Sequence, residues 1–280
     1  MNSPKEVAQN YIAIGVGKTK LSVGRMLALS LLAGMFIALA GVGSTIASVT
    51  VASPSLAKLI SAAVFPVGLA MVLVAGSELF TGNSLLIIPV LERQAKVTGM
   101  IKNWVFVYIG NLVGGVLVAA LSVYSGTFDL FSNAAAVSVI RTAVAKVSLS
   151  FGDALLRGIL CNFLVCIAVW ISFAAKDVVG KIAGLYLPIM LFVLSGYEHS
   201  VANMYYISAG LFAAKNTTYA AAASDAGVNL SKLNWGSMFT KNLLPVTIGN
   251  IIGGLVLVGV LYWFVYLSGG KKKEPAKKKK

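Results

Sequence analysis

Apolar residues run along this chain in six long blocks, at approximately 26–52, 59–91, 101–124, 154–175, 182–214 and 243–268, and most charges fall between them. A helix crosses the hydrocarbon core of a bilayer, roughly 30 Å thick, with about 20 residues. Each block therefore predicts a transmembrane span. The expected fold class is an all-α membrane protein with six transmembrane helices. The second and fifth blocks are too long, at roughly 32 residues against the roughly 20 required, and each holds a polar segment in its interior: GSELFTGN at 76–83 and GYEHSVAN at 196–203. Glu, Asn, Gly and Thr together inside a span favour a break in the helix. Freed backbone groups are tolerated at that depth only where they face protein or a wet cavity.

Those two segments share the form G-x-E-x-x-x-x-N at an offset of 120 residues. A second pair follows, IGNLVGG at 109–115 and IGNIIGG at 248–254, alike at five of seven positions. Two matches in the same order divide the chain into repeat halves, about 20–125 and 150–268. Three crossings per half would insert the copies with opposite orientation, an inverted repeat with broken second and fifth helices. Paired broken helices in such repeats point to a solute path between the copies. The span region 1–268 then reads as one domain, followed by a lysine-rich tail at 269–280.

Composition agrees with this picture: 58% of the 280 residues are hydrophobic and 11% charged, with a mean hydropathy of +0.86. The N-terminus has no short apolar region with a small-residue cleavage site, and is read as mature sequence. With six spans, 16 of the 23 Lys and Arg fall on the side of the termini, so both termini are expected to be cytoplasmic. The net charge of +14 lies largely in that set, above all in the tail GGKKKEPAKKKK, and nucleic acid is the weaker account of it. The tail reads either as a solvated positive-inside segment or as a contact for anionic lipid headgroups. Cys161 and Cys166 lie five apart and read as packing thiols, and one histidine without a Cys/His cluster gives a metal site little to be built from. No metal and no cofactor is expected.

Ionisable residues at bilayer depth normally face a partner, a cavity or a pathway. Glu78 and Glu198 are repeat mates, each followed by its asparagine, Asn83 and Asn203. A structural duty at the helix breaks, the carboxylate capping freed backbone N–H groups, stands beside a proton-carrying one. His199 has no mate, since Leu79 occupies the matching place. It reads either as a neutral buried imidazole or as a group on a pathway, where a donor and proton exchanger would suit an anion or weak acid. Thr81 offers a hydroxyl in the first break, and Leu79 and Phe80 beside it read as an apolar gate. Lys146 in an outer segment is either solvated or a cation that concentrates small anions at a mouth.

At these residues the sequence resembles the formate/nitrite transporter family, which includes formate, nitrite and hydrosulfide channels. The most specific pieces are ELFTGN at 78–83 and FVLSGYEHSVANM at 192–204, and the likeness runs from Gly17-Lys18 through the sixth block. The resemblance implies an aquaporin-like fold assembled as a homopentamer, a pore in each protomer, and residence in a bacterial or archaeal cytoplasmic membrane. It also implies roles: His199 and Thr81 as the central pore pair, with Asn162 and Asn250 lining the pore. Leu69, Leu79 and Phe80 match an inner constriction, Phe65 and Phe192 an outer one. Lys146 matches a basic vestibule residue and Lys18 a lysine of the N-terminal segment.

The function expected is passage of small monovalent weak-acid anions, formate first, coupled to proton uptake at the central histidine. Nitrite or hydrosulfide is the alternative within the family. A neutral-solute pore of aquaporin type lacks its Asn-Pro-Ala here, an ammonium channel lacks its second histidine, and an intramembrane enzyme lacks H-E-x-x-H. The expected partners are small anions, protons, the bilayer and other copies of the chain.

Overall fold

The computed structural model describes residues 1–269, which contain helices and turns and no strand. The lysine tail, apart from Gly269, lies outside the described residues. A first helix, α1 (Pro4–Thr19), opens on a capping box between Ser3 and Glu6. Ahead of it, Asn2 donates from its backbone N–H to the Ala174 carbonyl at 2.7 Å and from its side chain to Phe173 at 3.0 Å. The first repeat half holds α2 (Val23–Ser48), α3 (Pro54–Val64), α4 (Val67–Val74), a 3-10 turn over Gly82–Leu86, α5 (Ile87–Leu91) and α6 (Val97–Tyr124). Then come α7 (Ala134–Val147), α8 (Phe151–Ala174), α9 (Val178–Leu194), α10 (Ser200–Ala213) and α11 (Thr217–Asp225). A last long helix, α12 (Trp235–Tyr266), completes the second half.

Among the described residues, five helices are long and apolar enough to cross a membrane: α2, the α3–α4 stretch Pro54–Val74, α6, α8 and α12. The second and fifth blocks are broken as their length implied. After α4 the chain leaves the helix at Gly76 (φ +81°), and after α9 at Gly196 (φ +71°). Both exits are Schellman-type: Ser77 N–H reaches back to the Val72 carbonyl at 3.0 Å, and Tyr197 N–H to Phe192 at 3.1 Å. A left-handed residue is needed there, and glycine adopts it without a Cβ penalty. The fifth block is thus two shorter helices, α9 and α10. The connection between α10 and α12 carries α11, whose first turn Asn216 caps.

Matching starts set the two halves in register. Ser22 caps α2 and Ser150 caps α8, each accepting a backbone N–H three residues on. The crossings α2·α6 and α8·α12 pack backbone to backbone. A Cβ at Gly114 would meet the Leu31 carbonyl, and one at Gly253 the carbonyl of Ile159. Close approach through small residues is how apolar helices associate when lipid removes the hydrophobic driving force between them. The breaks sit between these crossings, so each polar segment is held in protein.

Candidate functional site

At the two breaks the chain builds one bonding pattern twice. Glu78 N–H donates to the Leu29 carbonyl and Glu198 N–H to the Arg157 carbonyl, both at 3.3 Å. Phe80 N–H, freed by the first break, donates to Asn111 Oδ1 at 2.9 Å, and Ser200 N–H donates to Asn250 Oδ1 at the same distance. Asn111 Nδ2 donates to the Ser30 and Glu78 carbonyls; Asn250 Nδ2 donates to those of Gly158 and Glu198. Two asparagines on α6 and α12 therefore pin the broken segments. The capping that was one of two readings for the carboxylates is done by these asparagines.

The carboxylates do something else. Glu78 accepts from Lys18 Nζ at 2.8 Å and from Asn83 Nδ2 at 2.7 Å, and Asn83 also donates to Asn103 Oδ1. Glu198 accepts from Lys146 Nζ at 3.0 and 3.1 Å and from Asn203 Nδ2 at 2.6 Å, and Asn203 donates to Asn242 Oδ1. Lys18 and Lys146 are thus mates as well, each paired to the acid of its own break. The copies differ in where the lysine spends its donors, Lys146 on both Glu198 oxygens and Lys18 on one oxygen of Glu78 and on the asparagine. Asn83 Oδ1 accepts from Lys18 at 3.0 Å, whereas buried Asn203 Oδ1 has no partner.

Asn103, Asn111 and Asn242 were not candidates in the sequence reading. Their signal lies in the longer repeat KNWVFVYIGN (102–111) against KNLLPVTIGN (241–250), which extends the matched segment upstream by seven positions. Asn162 and Asn250 are fully buried, and their amides are spent on holding backbone. Asn162 Nδ2 bonds the Thr81 and Asn250 carbonyls and Ser84 Oγ, at 3.1, 2.6 and 3.1 Å. The Cys166 thiol packs against the same Thr81 carbonyl.

Between the breaks, Thr81 Oγ1 and His199 Nε2 lie 2.9 Å apart. His199 also caps α10, its Nδ1 accepting the Ala202 N–H at 3.0 Å. A ring nitrogen that accepts a backbone N–H carries no proton, so this pattern assigns the ring proton to Nε2, directed at Thr81. The Phe192 ring stacks on the imidazole with centroids 5.8 Å apart, and Phe65 meets Phe192 edge to face at 5.7 Å.

A chamber of about 10 Å³ lies against His199, walled by Phe65, Phe192, Leu69 and Leu79, room for about one water. Phe65, Phe192 and His199 also face a cavity of about 370 Å³ on the α7 side, which contains Lys58, Arg141, Lys146 and Arg157 against the single carboxylate of Glu198. Leu69 and Leu79 face a gap of about 30 Å³ that reaches Lys18 and Asn83. Beyond it opens a cavity of about 430 Å³ with Lys18, Lys181 and Glu78. The order is a cation-rich mouth, an aromatic ring, a histidine chamber, a leucine ring and a second mouth. Phe80 stands outside this row: its ring packs on Tyr108 at 4.9 Å and Trp104 at 6.1 Å.

This arrangement has close counterparts. Residues 5–264 match the family model for the formate/nitrite transporter. The chain is 40% identical over 284 residues to a probable formate transporter of Methanothermobacter thermautotrophicus, covering 95% of this chain and 97% of that one. It is 37% identical over 270 residues to the formate channel FocA of Escherichia coli (strain K12), covering 94% of each. Among solved structures it superposes on a pentameric formate channel with formate bound (TM-score 0.78, 31% identity, 88% of this chain and 98% of that). It also superposes on an FNT family ion channel (TM-score 0.80, 27% identity, 93% and 98%). These relatives are channels and transporters, not enzymes. The family match reaches into every helix described above and takes in both breaks and the histidine chamber between them: this chain belongs to the formate/nitrite transporter family.

Proposed function

We propose that the chain conducts small monovalent weak-acid anions, formate first, across a bacterial or archaeal cytoplasmic membrane, the solute crossing the rings as its neutral acid. It works as one channel domain over residues 1–268, with six spans, both termini cytoplasmic and five copies assembled, as in its solved relative described as a pentameric formate channel. The observation that carries this reading is the single imidazole closing an apolar chamber between two cationic mouths. Moving a bare carboxylate into such surroundings costs on the order of tens of kcal/mol by Born solvation in a dry medium. Neutralising a carboxylic acid of pKa near 4 at pH 7 costs about 4 kcal/mol at 1.36 kcal/mol per pH unit. Proton uptake is the cheaper route by a wide margin.

The proton comes through Thr81 and His199. Thr81 Oγ1 accepts the Nε2 proton, which leaves its own hydroxyl hydrogen to point at the solute. As that hydrogen passes to the anion, the Nε2 proton passes to Thr81 and Nδ1 takes up a proton from water; the cycle closes when Nδ1 releases a proton and Nε2 regains one, which restores the starting tautomer. Recharging at Nδ1 breaks its bond to the Ala202 N–H, so the relay opens and recloses the first turn of α10 in each cycle. Lys146 and Lys18 hold positive potential at the mouths while paired to Glu198 and Glu78.

The test is flux of formate, nitrite, hydrosulfide and chloride through purified protein in liposomes, each at two pH values. Formate flux rising at lower pH, with chloride excluded, is expected; nitrite or hydrosulfide outrunning formate would reassign the substrate. His199→Ala and Thr81→Val should each abolish the pH dependence. Unchanged pH dependence in His199→Ala removes the relay.

A further inference from the structure

The two mouths are not electrically equal. The α7 cavity is lined by four cations, Lys58, Arg141, Lys146 and Arg157, against one carboxylate, a net +3; the α1 cavity holds Lys18 and Lys181 against Glu78, a net +1. Within the α7 cavity the Lys146 charge is largely answered by Glu198 at 3.0 Å. Arg141 spends one donor on the Ala226 carbonyl, and among the described residues neither Lys58 nor Arg157 forms an ion pair. Three exposed cations thus face one cavity of about 370 Å³ with no carboxylate of their own. A monovalent anion can answer only one of them. The deep end is closed by the Phe65–Phe192 pair and His199.

We propose that the α7 mouth is a binding site for a divalent tetrahedral oxyanion, sulfate or phosphate, which lodges among Lys58, Arg141 and Arg157 and blocks the path without passing it. Two negative charges gain about twice the attraction of one in the same field, and guanidinium forks suit tetrahedral oxyanions. Sulfate keeps its charges across the physiological range, so it cannot cross the aromatic ring by the neutral route open to a weak acid. The site therefore excludes by charge what it attracts most strongly. The proposal extends the reading of the pore as a weak-acid path, and its binding arm does not depend on that reading.

The experiment is calorimetric titration of the full-length protein in detergent with sodium sulfate, with sodium chloride at matched ionic strength as control and with phosphate and methyl phosphate as further arms. Saturable sulfate binding near one ion per chain is expected, weakened at least tenfold in Lys58→Gln/Arg157→Gln. Methyl phosphate matching phosphate would assign the site equally to a phosphomonoester headgroup. In liposomes holding protein of one orientation, sulfate on the α7 face should slow formate uptake, and sulfate on the α1 face should not. Absence of saturable binding above the chloride control overturns the proposal, as does unchanged affinity in the double variant. Failure of formate flux with sulfate binding intact would instead sink the transport reading and leave the site standing.

Discussion

Replacing Lys146 by Met strips the ammonium from Glu198 while keeping a long unbranched side chain. The ion pair is nearly sealed, with side-chain exposures of 15% for Lys146 and 7% for Glu198. Its carboxylate keeps only amide donors, Asn203 Nδ2 at 2.6 Å and Asn242 Nδ2 at 3.4 Å. Breaking a buried pair from one side costs about 3–5 kcal/mol, because the remaining charge is left uncompensated. A single interhelical hydrogen bond in a membrane protein averages only about 0.6 kcal/mol. So Lys146→Met should cost far more than the loss of any one bond in the network. Adding Glu198→Gln removes the stranded charge and keeps an acceptor for Asn203, and should recover at least about 2 kcal/mol of that loss. The assay is a double-variant cycle by denaturant titration in mixed micelles, read from the tryptophan fluorescence. If each single replacement costs under about 1 kcal/mol, as an exposed pair would, and the two costs simply add, then Lys146 is a free cation and the reasoning fails.

Further expectations follow from the same geometry. Leu79→Ala opens the ring between the chamber and the α1 mouth, and should admit chloride to liposomes that otherwise exclude it; an unchanged chloride barrier would place the ring elsewhere. Gly249→Leu puts a side chain against the Leu155 carbonyl and Gly158 of α8, so folded protein on size-exclusion chromatography should fall to a small fraction of the parent's, with Gly17→Leu, which faces open space, as the unaffected control. The backbone N–H and hydroxyl of Ser3 hold the Glu6 carboxyl below its ordinary value of 4.5. A lowered acid stabilises the fold above the unfolded value and loses that contribution as pH falls through the folded one. Protease access to the start of α1 should therefore rise on acidification below pH 4.5, and Glu6→Gln should show that access at every pH.

Much of this protein is legible in its sequence because a bilayer leaves a chain few options. Apolar length alone marks the membrane helices, since every backbone group must be satisfied within its own segment. The two over-long blocks and the G-x-E-x-x-x-x-N repeat marked the breaks, because only a helix that stops partway holds glycine, a carboxylate and an asparagine at that depth. His199 and Thr81, 118 residues apart in sequence, stood out as polar side chains in greasy surroundings. The partners of the polar groups were decided elsewhere. Glu78 and Glu198 looked like caps, yet Asn111 and Asn250 reach the freed N–H groups from other helices, and the carboxylates turn to Lys18 and Lys146. Those distances depend on glycine-tight crossings between helices remote in sequence, and spacing along one segment carries no information about them. The tautomer of His199 was likewise out of reach of composition: the Ala202 N–H takes Nδ1 only once α10 begins where it does, so the tertiary arrangement, not the residue, aims the one ring proton at Thr81.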